Sequence, residues 1–187
     1  VAALLEGMFK KKCQTLILAG SLDQSGRMYD YLCEFIEAGK YKPFIKGRML
    51  SESCRFTNGT TVEALSQSAR SVRGRHVNKL RCDEIELFDE DVLNAAKFVT
   101  QSTNGHVAAM EMFSTLHRPY GLMQKIIENA AQNNTPVFQW CMWEVIERCT
   151  SDRSCSRCPL NRDCHGKARR ANGYLKIDDC IAQMRRS

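Results

Sequence analysis

Two features that would mark a membrane or secreted protein are missing from this sequence. No apolar run approaches the roughly 20 residues that a helix needs to cross a bilayer, and charged residues make up 26% of the chain. The N-terminal residues also lack the basic, apolar and small-residue order of a secretory signal. We therefore expect neither a membrane-spanning segment nor export.

The composition is that of an ordinary globular protein. The chain has 187 residues, of which 43% are apolar, enough for one α/β domain with a small appendage. It starts at Val1 directly in a helical pattern and stops at Ser187 without a terminal signal. We expect it to be a fragment of a longer protein, cut at both ends.

The net charge of +6 is unevenly distributed. Residues 1–140 hold 17 Lys and Arg against 15 Asp and Glu, whereas residues 141–187 hold 10 against 6. A basic C-terminal segment suits a polyanionic partner, although a solvated basic surface explains the same excess.

The ten cysteines are not distributed as in a disulfide-rich secreted domain. Four are scattered through otherwise ordinary segments: Cys13, Cys33, Cys54 and Cys82. Four others follow one another closely with a single Cys-x-x-Cys: Cys149, Cys155, Cys158 and Cys164. Scattered thiols with one tight cluster are typical of a reducing compartment and of a metal site.

The clustered cysteines are compatible with two metal centres. Zinc takes four thiolates tetrahedrally and is the commoner closed structural centre. A [4Fe–4S] cluster also takes four cysteines, often with a Pro beside a ligand, and here Pro159 follows Cys158. His165 could replace Cys164 as a ligand, and four unliganded thiols remain the alternative.

The order of apolar segments predicts an α/β fold. A helix over residues 1–9 precedes an apolar strand over 14–19, and a second helix begins after a Ser21 N-cap. Asn58-Gly59 between β-formers predicts an antiparallel hairpin at a sheet edge. Further elements are a helix from Glu90, a strand within 106–113, a helix from Leu122 and an aromatic strand over 136–143. Composition places a domain boundary so that residues 1–145 form the α/β domain and 146–187 a Cys-rich segment.

The central feature is a short strand that ends in two adjacent carboxylates, Asp83 and Glu84. Strands that stop at the carboxyl edge of a parallel sheet deliver side chains into the crevice where nucleotides bind. Asp83 would hold Mg²⁺ through water, and Glu84 would orient or deprotonate an attacking water. The alternative is an acidic helix N-terminus, where the helix dipole favours carboxylates.

Two other segments carry candidate site residues, one after the next predicted strand and one before the acidic strand. Ser114 and Thr115 follow the next predicted strand, where their hydroxyls could contact a phosphate or cap a turn. A polar, Gly-broken loop before the acidic strand carries three arginines, Arg70, Arg73 and Arg75. For any one arginine, a solvated loop is the simpler explanation.

Taken in order, these segments resemble the large terminase subunit of tailed bacteriophages, the ATPase motor that packages DNA. The residues that carry the resemblance are Ser71-Val72-Arg73-Gly74, Leu80-Arg81-Cys82-Asp83-Glu84 and Ser114-Thr115. It covers residues 1–140, and the remaining tail is similar to the linker between motor and nuclease.

The resemblance implies a P-loop-NTPase-like, mostly parallel sheet flanked by helices, and a role for each matching residue. Asp83 and Glu84 would be the Walker B carboxylate and the catalytic glutamate. Ser114 and Thr115 would be the coupling motif that senses the γ-phosphate, and Arg73 would be an arginine finger acting on a neighbouring subunit. It also implies ATP with Mg²⁺, double-stranded DNA, a ring of terminase subunits, a small terminase subunit, a portal protein and the host cytoplasm.

The sequence departs from the family in two places. It contains no Gly-x-x-x-x-Gly-Lys-Ser/Thr phosphate loop, and the nuclease domain that would follow is absent. We expect the fragment alone to be inactive because the loop's N–H groups and Lys are needed to bind ATP. A metal-stabilised DNA-binding module without catalysis and a helicase-type ATPase fragment are the alternative interpretations.

Overall fold

The computed structural model describes residues 1–66, 72, 74–116 and 119–185. The chain divides into two compact units, Val1–Asn133 and Asn134–Ser187. Among the helices of these described residues, none combines the length and apolarity needed to cross a membrane.

The first unit alternates helices and strands along the described chain. Its helices are α1 (Ala2–Phe9), α2 (Leu22–Ala38), α3 (Glu90–Val99) and α4 (Leu122–Ala130). Its strands are β1 (Gln14–Ala19), β2 (Ser53–Arg55), β3 (Thr61–Ser66), β4 (Lys79–Cys82) and β5 (Ala109–Met112). Short 3₁₀ helices occupy Lys42–Phe44 and Ile85–Leu87.

The strands form one mostly parallel sheet in the order β2-β3-β1-β4-β5. Strand β1 pairs in parallel with both β3 and β4, and β4 pairs in parallel with β5. Strand β2 is the antiparallel edge, joined to β3 through the predicted Asn58-Gly59 turn. Because Leu18, Cys82 and Met112 are in register, the carboxyl ends of three parallel strands meet at one edge.

Apolar side chains cover both faces of this sheet. On β1, Leu16 and Leu18 belong to one cluster of buried residues and Ile17 to the other. Helix α3 contributes Leu93 to the first cluster, and α2 contributes Leu32 to the second. The α/β prediction is therefore confirmed, and burial on both faces explains why β1 is a continuous apolar run.

The structure tests two predictions for α2, its N-cap and its buried face. Ser21 is the N-cap of α2: its hydroxyl accepts from the Gln24 N–H at 3.2 Å, and Gln24 accepts from the Ser21 N–H at 3.1 Å. The helical spacing of apolar residues predicts that the buried face of α2 is formed by Leu22, Met28, Tyr31, Leu32 and Phe35. Leu32 is buried, but Tyr31 and Phe35 are 62% and 46% exposed, so this prediction is wrong for those two residues. The buried face instead presents Ser25, Tyr29, Leu32 and Ile36.

The described part of the second unit, residues 134–185, contains only short elements. They are α5 (Met142–Val145), α6 (Asn161–Cys164), α7 (Ile177–Met184) and 3₁₀ helices at Cys155–Arg157 and Lys167–Arg169. Its buried side chains form a small cluster: Ile146, Leu160, Ala168, Ala171, Ile177 and Cys180. A core of this size leaves little margin for stability in so short a unit.

The strand predicted over 136–143 is wrong. Residues 136–141 are irregular, and the following residues begin α5 instead. Phe138 and Trp140 are each 73% exposed, and no strand of the described sheet pairs with this segment. An apolar, aromatic composition favours a strand only where a neighbouring strand can satisfy its backbone groups.

The division between the two units falls after Asn133, so the segment over 136–143 lies in the second unit. Composition suggested a later boundary, near residue 145.

Candidate active site at the carboxyl edge of the sheet

Asp83 lies where β4 leaves the sheet. Its N–H still donates to the Leu18 carbonyl on β1, at 2.8 Å, so its backbone position is set by the parallel pairing. Gly20, directly after β1, lies against Leu87 of the turn that follows Asp83, since a Cβ on Gly20 would be 3.5 Å from the Leu87 Cβ. The ends of β1 and β4 therefore meet beside this half-buried carboxylate.

The electrostatic environment of Asp83 favours a cation. Burial, and then the negative charge of Glu84, raise the pKa of Asp83, while a hydrogen bond from the Glu84 backbone lowers it slightly. No basic group in the described residues contributes to this shift. The pKa of Asp83 is therefore raised by effects that a bound divalent cation would oppose.

Cys82, the last residue of β4, is an apolar wall of this site. It is fully buried, and burial raises the pKa of its thiol to about 12. With such a pKa the thiol stays protonated at neutral pH and packs in the apolar cluster beneath the site.

Glu84 has an unusual backbone conformation. Its φ of 55° and ψ of 48° lie in the left-handed region, which a residue with a Cβ seldom adopts. It turns the chain from β4 directly into the 3₁₀ helix Ile85–Leu87. Such conformations cost about 1–3 kcal/mol and cluster at functional sites, where the surrounding structure imposes them.

The end of β5 holds this turn in place. The Phe113 N–H donates to the Cys82 carbonyl at 2.9 Å, and the Phe113 carbonyl accepts from the Ile85 N–H at 3.1 Å. The Ser114 hydroxyl then accepts from the Glu86 N–H at 3.1 Å and donates to the Thr115 carbonyl at 3.2 Å. The structure thus brings Ser114 to the Asp83–Glu84 turn, where its hydroxyl caps the 3₁₀ helix, while Thr115 is exposed.

Sequence reasoning missed the role of Glu86, which lies in the same turn. Its side chain is buried, and its Oε2 accepts from the Met123 N–H at the start of α4, at 2.9 Å. A Cβ on Gly121 would be only 1.5 Å from the Glu86 Oε1, so a larger residue there would displace the carboxylate from this position. The sequence contains one indication of this contact. Gly121, the N-cap of α4, has no side chain to accept hydrogen bonds from the first N–H groups of the helix, so an acceptor from another segment is needed.

Sequence reasoning also missed a buried ion pair two residues before Asp83. Arg81 is 6% exposed and contacts Glu6 of α1 at 2.8 Å and Glu111 of β5 at 2.9 Å. Burial raises the pKa of Glu6, but the hydrogen bond and charge of Arg81, with Lys10, outweigh it and leave the pKa below its usual value. These contacts hold β4 to α1 and β5 just before the two carboxylates.

The arginine assigned as a finger lies outside the described residues, as does Ser71 of the same motif. The segment that carries Arg73 follows β3, which ends at Ser66 on the same edge as β4. Of the other arginines in this loop, Arg75 is described and pairs with Glu63 of β3. Gly74, Arg75 and His76 also line an open groove of about 610 Å³ against α3, which neither Asp83 nor Glu84 lines.

In the second unit, all four clustered cysteines line one small cavity of about 20 Å³. Cys164 is among its lining residues and His165 is not. Burial, and then the neighbouring Cys155, raise the pKa of Cys149, while Arg153 and Arg169 lower it. Within the described residues, no three His, Cys, Asp or Glu side chains are close enough together to hold a metal ion. The thiols therefore face one cavity without being gathered in ligand geometry.

Comparison with solved structures identifies the fold. The HK97 bacteriophage large terminase superposes with a TM-score of 0.66 and 15% identity, over 96% of this chain and 38% of that one. The large terminase from the thermophilic bacteriophage D6E gives a TM-score of 0.53 and 12% identity, over 68% of this chain and 32% of that one. The chain has the fold of phage large terminases. It spans about a third of the length of these two proteins.

No protein-family model and no curated protein matches the sequence. At 12% and 15% identity, likeness to solved terminases establishes the fold alone. The fold that the sequence motifs implied is thereby confirmed, and the HK97 alignment extends into both units because it covers nearly the whole chain. Activity, substrates and partners require separate arguments from the residues.

Proposed function

We propose that this chain is part of the ATP-hydrolysing motor of a phage large terminase, which translocates double-stranded DNA into a procapsid. The observation that carries the proposal is the Asp83–Glu84 pair, positioned by parallel pairing at the carboxyl edge of a sheet with the terminase fold. Nucleotides bind in α/β sheets at this edge.

The two carboxylates have different roles in this proposal. Asp83 fits a Mg²⁺ that accompanies ATP, since burial and an adjacent carboxylate disfavour its ionised form and a divalent cation would restore it. Mg²⁺ would neutralise charge on the phosphates. Glu84 would orient and deprotonate the attacking water, and the left-handed backbone fixes where that side chain leaves the chain.

Ser114 and Thr115 are proposed to couple the nucleotide to movement. Ser114 holds the turn that contains Glu84 through the Glu86 N–H, and Glu86 in turn holds the start of α4. A change in the hydroxyl's hydrogen bonding on hydrolysis would therefore alter the support of both the turn and the helix. This is the proposed route from the phosphate to α4.

Arg73 is proposed to act on the neighbouring subunit's nucleotide, where its charge would stabilise the transition state. In the full-length protein, Arg73→Ala should keep ATP binding by isolated subunits and lose hydrolysis in the assembled ring. Mixing it with a Glu84→Gln subunit should restore some activity, because the two defects then fall in different composite sites. No rescue in mixed rings would contradict a trans-acting arginine.

The motor proposal brings partners and cofactors with it. ATP with Mg²⁺, a ring of identical subunits, a small terminase subunit and a portal protein belong to the proposed full-length machine in the host cytoplasm.

A DNA-binding module without catalysis is the second candidate, favoured by the cysteine-lined cavity and the basic side chains around it. A helicase-type ATPase would share the strand-end carboxylates and would differ by unwinding duplex DNA.

The full-length protein that contains this chain and a phosphate loop provides the test. Glu84→Gln should retain ATP binding and lose DNA-stimulated turnover about a hundredfold or more, because only the water-activating carboxylate is removed. Glu34→Gln, a matched change on the exposed face of α2, should leave turnover unchanged. Turnover of Glu84→Gln within a few-fold of wild type would exclude the catalytic role and favour the binding module.

A further inference from the structure

The cysteine-lined cavity of the second unit has the composition of a closed metal site. Its four thiols come from three places: the segment after α5, the 3₁₀ helix Cys155–Arg157 with the residue that follows it, and the end of α6. The Cys158 N–H donates to the Cys155 carbonyl at 3.1 Å, and this turn brings both side chains to the cavity. Cys149 is held from the other side, by its N–H to the Ala168 carbonyl at 2.9 Å.

Two sulfurs already receive hydrogen bonds from groups that would stabilise a thiolate. The chain reverses after Cys164 through two left-handed residues, His165 and Gly166, and the Ala168 N–H then lies 3.5 Å from the Cys164 Sγ. The Arg169 guanidinium donates to the Cys155 Sγ, also at 3.5 Å. N–H donors and positive charge beside sulfur favour the thiolate, which is the form that binds metal.

We propose that Cys149, Cys155, Cys158 and Cys164 bind one zinc ion as thiolates. Zinc takes four thiolates tetrahedrally and is the commoner closed structural centre, and all four thiols line one small cavity of about 20 Å³. Binding requires the thiols to lose their protons and turn inward: Cys149, for example, now directs its Sγ toward the Thr150 carbonyl at 3.7 Å. Rotation about χ1 and loss of the proton would release that contact.

The surrounding charges balance such a centre. Four thiolates around a divalent ion carry excess negative charge, and the guanidiniums of Arg153 and Arg169 both line the cavity. Arg153 is oriented by Asp178 of α7, at 2.8 Å. The centre would join the segment after α5, the 3₁₀ helix Cys155–Arg157 and α6 around a core of only six buried side chains. In short units of this kind, metal binding supplies folding free energy.

Metal analysis of the whole 187-residue chain provides the test. Protein expressed with both zinc and iron, and purified under reducing, anaerobic conditions, should contain about one zinc per chain. Cys158→Ser should lose that zinc. Cys141→Ser is the matched control, since Cys141 is an exposed thiol in the same unit that does not line the cavity, and it should retain the metal.

Cobalt substitution keeps the proposal testable if Cys158→Ser fails to fold. Wild-type chain loaded with Co²⁺ should show intense thiolate-to-metal charge transfer and the strong visible bands of tetrahedral coordination. Iron with sulfide in place of zinc would overturn the assignment. Absence of both metals, zinc retained in Cys158→Ser, or a weak octahedral cobalt spectrum would overturn it equally.

Discussion

The two units of this chain hold their distinctive residues by different means. In Val1–Asn133, Asp83 is placed by strand pairing within a sheet whose two faces are covered by separate apolar clusters. In Asn134–Ser187, the four cysteines lie on short helices and the segments between them, beside a single small cluster of buried residues. The proposed Mg²⁺ site would therefore have its geometry before any ligand binds, whereas the proposed zinc site would need the metal to complete its geometry.

The largest effect is expected from removing metal, and it should be confined to the second unit. A strong chelator under reducing conditions should unfold Asn134–Ser187, because structural zinc in small peptides contributes about 10–16 kcal/mol of binding free energy. Trp140 and Trp143 are the only tryptophans of the chain, so fluorescence reports this unit while circular dichroism follows the sheet. Loss of the sheet signal together with the fluorescence change would show that the two units are not stabilised independently.

Removing the buried arginine should have the next largest effect, and it should be confined to the first unit. Arg81→Met leaves the mostly buried Glu6 carboxylate without its main partner and should lower the free energy of unfolding by about 3–5 kcal/mol. Adding Glu6→Gln should restore most of the loss. Lys176→Met breaks the exposed pair with Glu147 in the second unit and should change stability little.

The same ion pair predicts a pH dependence. Because the pKa of Glu6 is lower in the folded state than its ordinary value of 4.5, its contribution to stability is present above that value. The contribution is lost as the pH falls below about 4.5 toward the folded-state pKa. Chemical denaturation at several pH values should show this loss in wild type and not in the Glu6→Gln/Arg81→Met double variant.

A smaller effect is expected where the turn that contains Asp83 and Glu84 meets α4. Gly121→Ala places a methyl group on the Glu86 carboxylate, which should cost about 1–3 kcal/mol through overpacking and about 1 kcal/mol through loss of the helix cap. Gly26→Ala, where a Cβ meets no atom within 4 Å, should stabilise α2 by up to about 1 kcal/mol. Equal unfolding midpoints for the two variants would contradict the Glu86 contact.

The features that sequence predicted are those with local causes. The apolar run of β1, the Asn58-Gly59 turn and the Ser21 cap each depend on a few adjacent residues. The position of Asp83 also followed, since a strand end in an α/β order reaches the carboxyl edge of the sheet. These predictions required no knowledge of distant contacts.

The features that sequence missed depend on partners far along the chain. Glu86 accepts from a residue 37 positions later, and Arg81 pairs with Glu6, 75 positions earlier. In each case the sequence contains a charged residue whose burial becomes evident only when the fold brings its partner close. The strand prediction over 136–143 was wrong for the converse reason. Its apolar, aromatic residues suggested pairing with a neighbouring strand, and the described sheet contains no such pairing.

The separate roles of the two adjacent carboxylates are the central claim, and one comparison tests them most directly. Nucleotide affinity should be measured against Mg²⁺ concentration, together with DNA-stimulated turnover, in the full-length protein carrying Asp83→Asn or Glu84→Gln. The account predicts that Asp83→Asn weakens the Mg²⁺-dependent part of ATP binding and abolishes turnover, whereas Glu84→Gln keeps that binding and loses only turnover. Unchanged Mg²⁺ dependence in Asp83→Asn, with turnover near wild type in both variants, would contradict it.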